Sequence, residues 1–336
     1  MNAYNCRFAW LLSVSFLPSL GPGPTYAQEI PASSAGLVIS EIFYNPQGSD
    51  DFEFVEFYNA GTSSLNLSGF KLVKDDKGDG LEFEFTAEVL QPGAYILVAE
   101  DSVRFTQRYM TAGSPYFNDG LNLAGQWKGG LRDSGEKLQV LDPDGELIFT
   151  FTYRDGGDWP LLASGMGSSL ELKVLSGLPA DLGEREKFLE TPGNWRASSE
   201  FHGNPGRAGQ VPDRRVVINE VLANTDAQVT DTIELYNPTS VEVSVGGWFL
   251  SDSTTFDKFR IPDGTTIPSF GFLTFDETQF NPNGEWNPNA GSPGENEFSL
   301  SGSKGDDVWL VISDGSGGVA AVGIRADSFR KFLIII

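Results

Sequence analysis

Leu37-Val38-Ile39-Ser40-Glu41-Ile42-Phe43 and, nine residues on, Glu53-Phe54-Val55-Glu56-Phe57-Tyr58-Asn59 are the stretches on which the reading of this chain turns. Both are dense in β-branched and aromatic side chains, which suit a pleated, half-buried surface. Asn45-Pro46 and Asn59-Ala60-Gly61 close them with turn chemistry. The same text returns downstream. Val217-Ile218-Asn219-Glu220-Val221 repeats Val38-Ile39-Ser40-Glu41-Ile42, and Glu234-Leu235-Tyr236-Asn237 repeats Glu56-Phe57-Tyr58-Asn59. Gly69 and Leu72 match Gly247 and Leu250, and Pro92 to Glu100 matches Pro268 to Asp276. Gly135 to Leu138 matches Gly305 to Val308. The spacing between matched blocks shortens gradually along the chain, as it does when strands persist and loops change length. The chain is a tandem duplication.

Working outward, Leu138 to Leu141 and Leu147 to Phe151 flank Asp142-Pro143-Asp144-Gly145, a hairpin turn with glycine where positive φ is required. Val308 to Ile312 followed by Ser313-Asp314-Gly315 repeats that device. Roughly seven or eight short strands per copy, at these spacings, predict two tandem β-sandwiches in an all-β chain. The 39 glycines and 19 prolines agree with that class and exclude long helices. One helix is predicted, a brief one around Asp101 to Tyr109, capping an end of the first sandwich. The second copy reads as truncated, because nothing after Arg325 matches Asp158 to Leu172 and the chain ends in the apolar run Phe332 to Ile336.

The first 27 residues read as a secretory signal peptide. Arg7 precedes the apolar stretch Phe8 to Leu20, Gly21 to Pro24 break it, and Thr25-Tyr26-Ala27 offers a small-residue cleavage site. The apolar run is shorter than the roughly 20 residues a bilayer crossing needs. Cleavage removes Cys6, the one cysteine, and makes the chain one unit more negative than its −23. The expected location is therefore secreted, periplasmic or cell-surface, without disulfides and without a transmembrane segment in the mature chain. Such acidity opposes nucleic acid and anionic lipid, and no nucleic-acid partner is expected. The expected division is a signal peptide over 1–27, a short lead over 28–36, a first sandwich over 37–173, a closing segment and linker over 174–214, and a second, incomplete sandwich over 215–336.

The series ISEIFYNP, EFVEFYNAG, LNLSGFKL, LQPGAYILVAED and GEKLQVLDPDG (residues 39–145), with INEVLAN, IELYNPTS, VGGWFLSDS and GDDVWLVISDG (residues 218–315), resembles the lamin tail domain. The most specific elements are the Glu-x-Tyr-Asn strand ends and the Gly-aromatic pairs Gly69-Phe70 and Gly247-Trp248. Asn194-Trp195 and Gly203-Asn204-Pro205-Gly206 fit the closing segment of exported bacterial members. The resemblance implies an immunoglobulin-like sandwich in each copy and no catalytic role for the repeated glutamates. It also implies an accessory or positioning module of the kind found beside phosphoesterase-type and other hydrolase domains.

The chemistry on offer is sparse. One His and one Cys cannot assemble a His/Cys zinc site. His202 lies in the closing segment with no nucleophile elbow to serve, and reads as an exposed loop residue. Asp75-Asp76-Lys77-Gly78-Asp79-Gly80 is a weak calcium-loop candidate. Lys77 stands where an oxygen ligand is wanted and Thr86 where the closing Glu belongs, so a solvated hairpin is expected. Asp50-Asp51 and Asp306-Asp307 are weaker. Glu41 with Glu56, repeated as Glu220 with Glu234, could form an acid–base pair, but their place on duplicated strands favours a structural role. Trp127 and Trp286 sit in Gly- or Asn-rich loops and are the expected exposed pair for a sugar-binding surface, whereas Trp248 and Trp309 fall inside strands. No catalytic residue and no cofactor is expected. The reading is a non-catalytic interaction or positioning module whose partner is a protein, an envelope polymer or a neighbouring domain. The alternatives are an accessory part of a larger exported hydrolase and a carbohydrate-binding surface.

Overall fold

The computed structural model describes residues 30–31, 34–75, 77–209, 214–223, 230–284, 294, 296–301, 306–313, 319–321 and 325–326. The signal-peptide reading, Asp76 and Trp286 lie outside them. In the first copy the strands run β1 (Leu37–Phe43), β2 (Phe54–Asn59), β3 (Leu65–Asn66), β4 (Lys71–Val73), β5 (Leu81–Glu84), β6 (Val89–Leu90) and β7 (Tyr95–Ala99). They continue as β8 (Leu123–Gln126), β9 (Lys128–Gly129), β10 (Lys137–Leu141), β11 (Leu147–Thr152), β12 (Leu170–Leu172) and β13 (Trp195–Ala197). One sheet has the order β13-β12-β1-β2-β7-β8 and the other β11-β10-β4-β5-β9. Val38, Ile42, Val55, Phe57, Leu72, Val140 and Phe149 are among the side chains filling the space between them. The all-β sandwich expectation holds.

The second copy contains β14 (Val217–Leu222), β15 (Thr232–Tyr236), β16 (Val243–Ser244), β17 (Phe249–Ser251), β18 (Phe259–Arg260), β19 (Thr266–Ile267) and β20 (Phe272–Asp276). It ends with β21 (Val308–Ser313), β22 (Val319–Ala321) and β23 (Arg325–Ala326). Its two main sheets are β14-β15-β20 and β18-β17-β21-β22, with β23 also on β21. Ile233, Leu235, Leu250, Phe275 and Leu310 lie in its core.

The repeated Glu-x-Tyr-Asn ends have a shared physical reason. Asn59 is fully buried, its Nδ2 donates to the Ser63 and Leu90 carbonyls at 2.9 Å, and its Oδ1 accepts from the Gly61 N–H. Asn237 does the same with Val241, Ile267 and Thr239. Each asparagine thus ties the end of a long strand to the small ladders β3–β6 and β16–β19. Gly69 and Gly247 sit at φ of 82° and 85°, which explains glycine before the aromatic in both copies.

The predicted helix is present as α1 (Ser102–Phe105), capped by Asp101, and continues into a wider π turn over Thr106–Met110. A second helix, α2 (Leu182–Leu189), was not expected in the polar closing segment. Asp181 caps it, and Leu182, Phe188 and Leu189 join the first core. The closing segment also supplies β13, with Trp195 stacked on Phe151 and its Nε1 donating to the Leu189 carbonyl at 2.6 Å. A further helix, α3 (Glu277–Phe280), carries a capping box.

The two copies touch through an apolar cluster. Phe249, Phe256, Trp309 and Val311 of the second meet Phe201 of the closing segment, with Tyr116, Leu162 and Met166 around the rim. Gln47 Nε2 donates to the Thr254 carbonyl at 3.0 Å beside it. This explains why Val308 to Val311 is apolar at every position. Val308 and Leu310 face the second core, and Trp309 and Val311 face the first copy.

Candidate functional site

The outer face of the first copy's larger sheet carries a row of three glutamates. Register places Glu41 opposite both Glu56 and Glu171, so the row crosses β12, β1 and β2. The alternating neighbours Ile42, Val55, Phe57, Leu170 and Leu172 point into the core, which puts the carboxylates on the other face. They are nonetheless buried, at 2%, 1% and 4% exposure. The cover is the closing segment. The Asn204 N–H donates to Glu41 Oε1 at 3.0 Å, and the Gly206 N–H donates to Glu56 Oε2. Ser169 Oγ also donates to Glu41, and Ser40 Oγ donates to Glu56 Oε1 at 2.7 Å. Arg196 Nε reaches Glu171 Oε2 at 2.7 Å, and its Nη2 donates to the Gly209 carbonyl at 2.6 Å.

Glycine is needed where this cover meets the row. A Cβ on Gly203 would lie 2.6 Å from Glu41 Oε1, and one on Gly209 would overlap Glu171 Oε2. Burial, and then the neighbouring carboxylates, push the Glu41 carboxyl well above its ordinary value. Burial pushes Glu56 to about 8, partly offset by the Gly206 N–H and the Ser40 hydroxyl. Glu171 rises to about 7, again through burial, against the pull of Arg196. Glu41 and Glu56 therefore hold protons at neutral pH, whereas Glu171, paired with Arg196, titrates close to it. Glu41 and Glu56 accept from backbone and hydroxyl groups of the same chain, Glu171 Oε2 is held by Arg196, and Glu171 Oε1 is buried without a hydrogen-bond partner. Gly203-Asn204-Pro205-Gly206, singled out in the sequence only by resemblance, is the clasp over it.

The repeated pair in the second copy meets a different environment. Glu220 stands opposite Glu234, as Glu41 does opposite Glu56. The Asn219 Nδ2 donates to Glu234 Oε1 at 2.7 Å, taking the part of Ser40. Among the described residues there is no counterpart of the clasp. Glu220 is exposed, Glu234 is half-buried, and among the described residues β14 has a strand on one side only.

His202 is not the exposed loop residue expected from the sequence. It is 8% exposed, packed against Phe201 and Tyr116, with a left-handed φ of 69°. Its N–H donates to the Gly167 carbonyl at 2.6 Å, and its carbonyl accepts from the Tyr109 hydroxyl at 2.5 Å. Arg108 Nη1 lies 3.3 Å from its Nδ1. Burial, and then the Arg108 charge, lower its pKa to about 3, so the ring is neutral and accepts from the guanidinium. It is a core histidine.

Trp127 corrects a second expectation. It is 3% exposed and lies in the first core, so it offers no sugar platform. Trp248 is buried as expected, and Trp309 is buried at the junction of the copies.

In the weak calcium candidate, Asp75 Oδ1 accepts from the backbone N–H groups of Lys77 and Asp79 at 2.8 and 3.0 Å. Those bonds, that from Asp79 first, hold its carboxyl below the ordinary value. Asp79 pairs with Arg132 at 2.8 Å. This is a self-satisfied turn. A different group, Asp50, Glu53 and Asp133, brings carboxylate oxygens within 4.8 Å of one another. Glu53 is 1% exposed, Oε2 accepts from the Leu131 N–H at 3.2 Å, and Oε1 has no hydrogen-bond partner. Burial pushes Glu53 to about 10, so any cation here would first have to displace its proton. Asp133 is distant in sequence from the other two, which is why spacing alone did not bring it forward.

No helix among the described residues is long and apolar enough to cross a membrane. No curated protein matches the chain. Among solved structures it is similar to a DUF4876 family protein from Bacteroides thetaiotaomicron, at 11% identity and a TM-score of 0.31 over 54% of this chain and 72% of that one. The sequence model of the Lamin Tail Domain family matches residues 30–155 and again residues 210–326. With both copies matched in strand pattern and in sequence, the chain belongs to the lamin tail domain family.

Proposed function

We propose that this protein is an exported, non-catalytic interaction module that positions itself or a neighbouring domain by binding a protein or an envelope polymer. One observation carries the reading: Glu41 and Glu56, the facing pair of the buried glutamate row, are covered and hydrogen-bonded by the clasp of their own chain. Hydrolysis needs a positioned base or nucleophile and donors aimed at the developing charge. Glu41 and Glu56 instead accept from Asn204 and Gly206, and His202 is sealed beneath Tyr116 and Phe201. Export rests on the order of charged, apolar and small residues over 1–27, and the strong negative charge suits an extracellular surface rather than a nucleic acid.

The test is a panel of phosphoesters, nucleic acids, glycans and peptides with divalent metals present, run beside binding to isolated envelope material. No turnover with saturable binding supports the module. A hydrolysis rate that disappears on Glu41→Gln or Glu234→Gln, with the fold retained, overturns it.

A further inference from the structure

The two copies differ in one respect that bears directly on what the module binds. In the first, β1 is flanked by β2 on one side and β12 on the other, and the clasp lies over Glu41 and Glu56. In the second, β14 has β15 on one side and no strand on the other among the described residues. β23 approaches from the facing sheet but pairs with β21. Glu220 and Glu234 remain side by side on the face the clasp would cover.

That face has been re-lettered for water. Phe54 and Leu97 flank Glu56 in the first copy and are fully buried under Phe105 and Tyr109. By register their places are taken by Thr232 and Thr274, and Thr274 is exposed. The carboxylates, by contrast, have been kept. Like charges directly opposite on neighbouring strands are destabilising unless something pairs with them. We infer that the β14 edge, with Glu220 and Glu234, is a receptor for an extended segment of another polypeptide, added antiparallel to Val217–Leu222.

The first copy states the chemistry of that occupant. Ser168 and Ser169, leading into β12, supply small hydroxyl residues, β12 follows with alternating apolar ones, β13 supplies a guanidinium to Glu171, and the Gly-Asn-Pro-Gly turn supplies backbone N–H donors with no Cβ in the way. An added strand gains affinity from main-chain hydrogen bonds and specificity from its alternate side chains. A second copy of this chain is a poor source. Its own segment of that type is already in place, with Ser168, Ser169 and Leu170 at 0% exposure. The occupant is therefore a strand-and-turn segment of a different protein, bringing hydroxyl and backbone N–H donors to the two carboxylates as Ser169, Asn204 and Gly206 do in the first copy. This rests on the module reading, and names the surface it would use.

The experiment titrates the full chain with a synthetic peptide copying residues 166–209, and reads amide hydrogen exchange. The expected result is new protection over 217–222 with none over 37–43, and an affinity that falls at least tenfold in Glu220→Lys. Glu220 is exposed, so that variant keeps its fold, which a melt verifies. No protection, or protection of 37–43 through exchange into the first copy, overturns the inference. So does an edge already protected in the full chain that opens to the peptide once residues after 326 are removed, since the occupant is then this chain itself. Turnover in the substrate panel would sink the module reading while leaving this exchange pattern intact, so the two failures are distinguishable.

Discussion

Replacing Glu56 with Gln tests the proton-holding row quantitatively. The folded carboxyl titrates at about 8 against 4.5 when unperturbed, mainly because it is buried. A carboxyl raised in this way gives stability that is fully present below pH 4.5 and is lost as pH climbs towards 8. Each pH unit in that window removes about 1.4 kcal/mol. The whole window corresponds to an upper limit of about 5 kcal/mol, and relaxation within the shared row brings the expected figure to about 2–4 kcal/mol. Gln reproduces the protonated form. Its carbonyl accepts from the Gly206 N–H, and its NH2 donates to Ser40 Oγ. At pH 5 the variant and the parent should agree within about 1 kcal/mol, and at pH 8 the variant should be the more stable, by roughly 5–10 °C in Tm. Thermal melts at the two pH values, followed by tryptophan fluorescence, supply the comparison. Equal destabilisation at both pH values would show that the row is ionised and that Glu56 accepts as a carboxylate, which refutes the argument.

Four shorter predictions follow from other contacts. The single His202 ring resonance should show no titration between pH 5 and 8 by NMR, because its pKa lies at about 3; a midpoint near 6.5 would restore the exposed-loop reading. Gly203→Ala combines a φ of 80° with a Cβ driven against Glu41, and should cost a few kcal/mol, on the order of 2–4, while opening residues 203–209 to limited proteolysis. Trp309→Ala removes a fully buried ring at the junction of the copies, on the order of 3–5 kcal/mol, and should split one calorimetric transition into two. A chelator should leave the melting temperature at pH 7 unchanged, since Glu53 holds its proton there; a drop of many degrees would establish a cation at Asp50, Glu53 and Asp133.

The strands were legible because their causes are local. Alternating β-branched and aromatic residues between Asn, Gly and Pro turns mark β1, β2, β10, β11 and their repeats, and the recurring Asn59 and Asn237 mark where strands are tied down. What escaped was decided by cover. Leu182–Leu189 has a glycine and four charged residues, and is helical because three apolar side chains find the first core. Trp127 sits among glycines that read as a loop, yet its ring is enclosed between sheets. His202 has loop neighbours in sequence and aromatic ones in space. The glutamate row was visible as a repeat, but the difference between its closed and open forms depends on a segment more than 130 residues away.

The junction of the copies also fixes their order. Phe249, Trp309 and Val311 occupy the register positions held by Lys71, Gln139 and Leu141 in the first copy, where the outer face is half-exposed. The first unit can therefore stand at the water boundary on that side, and the second cannot. Lengthening the array by repeating the second unit would place its three apolar residues against a copy in which no counterpart of Phe201 stands among the described residues. Exchanging the two units would strand them in solvent. The duplication has become a directional pair, with one sealed member that serves as the seat for the other.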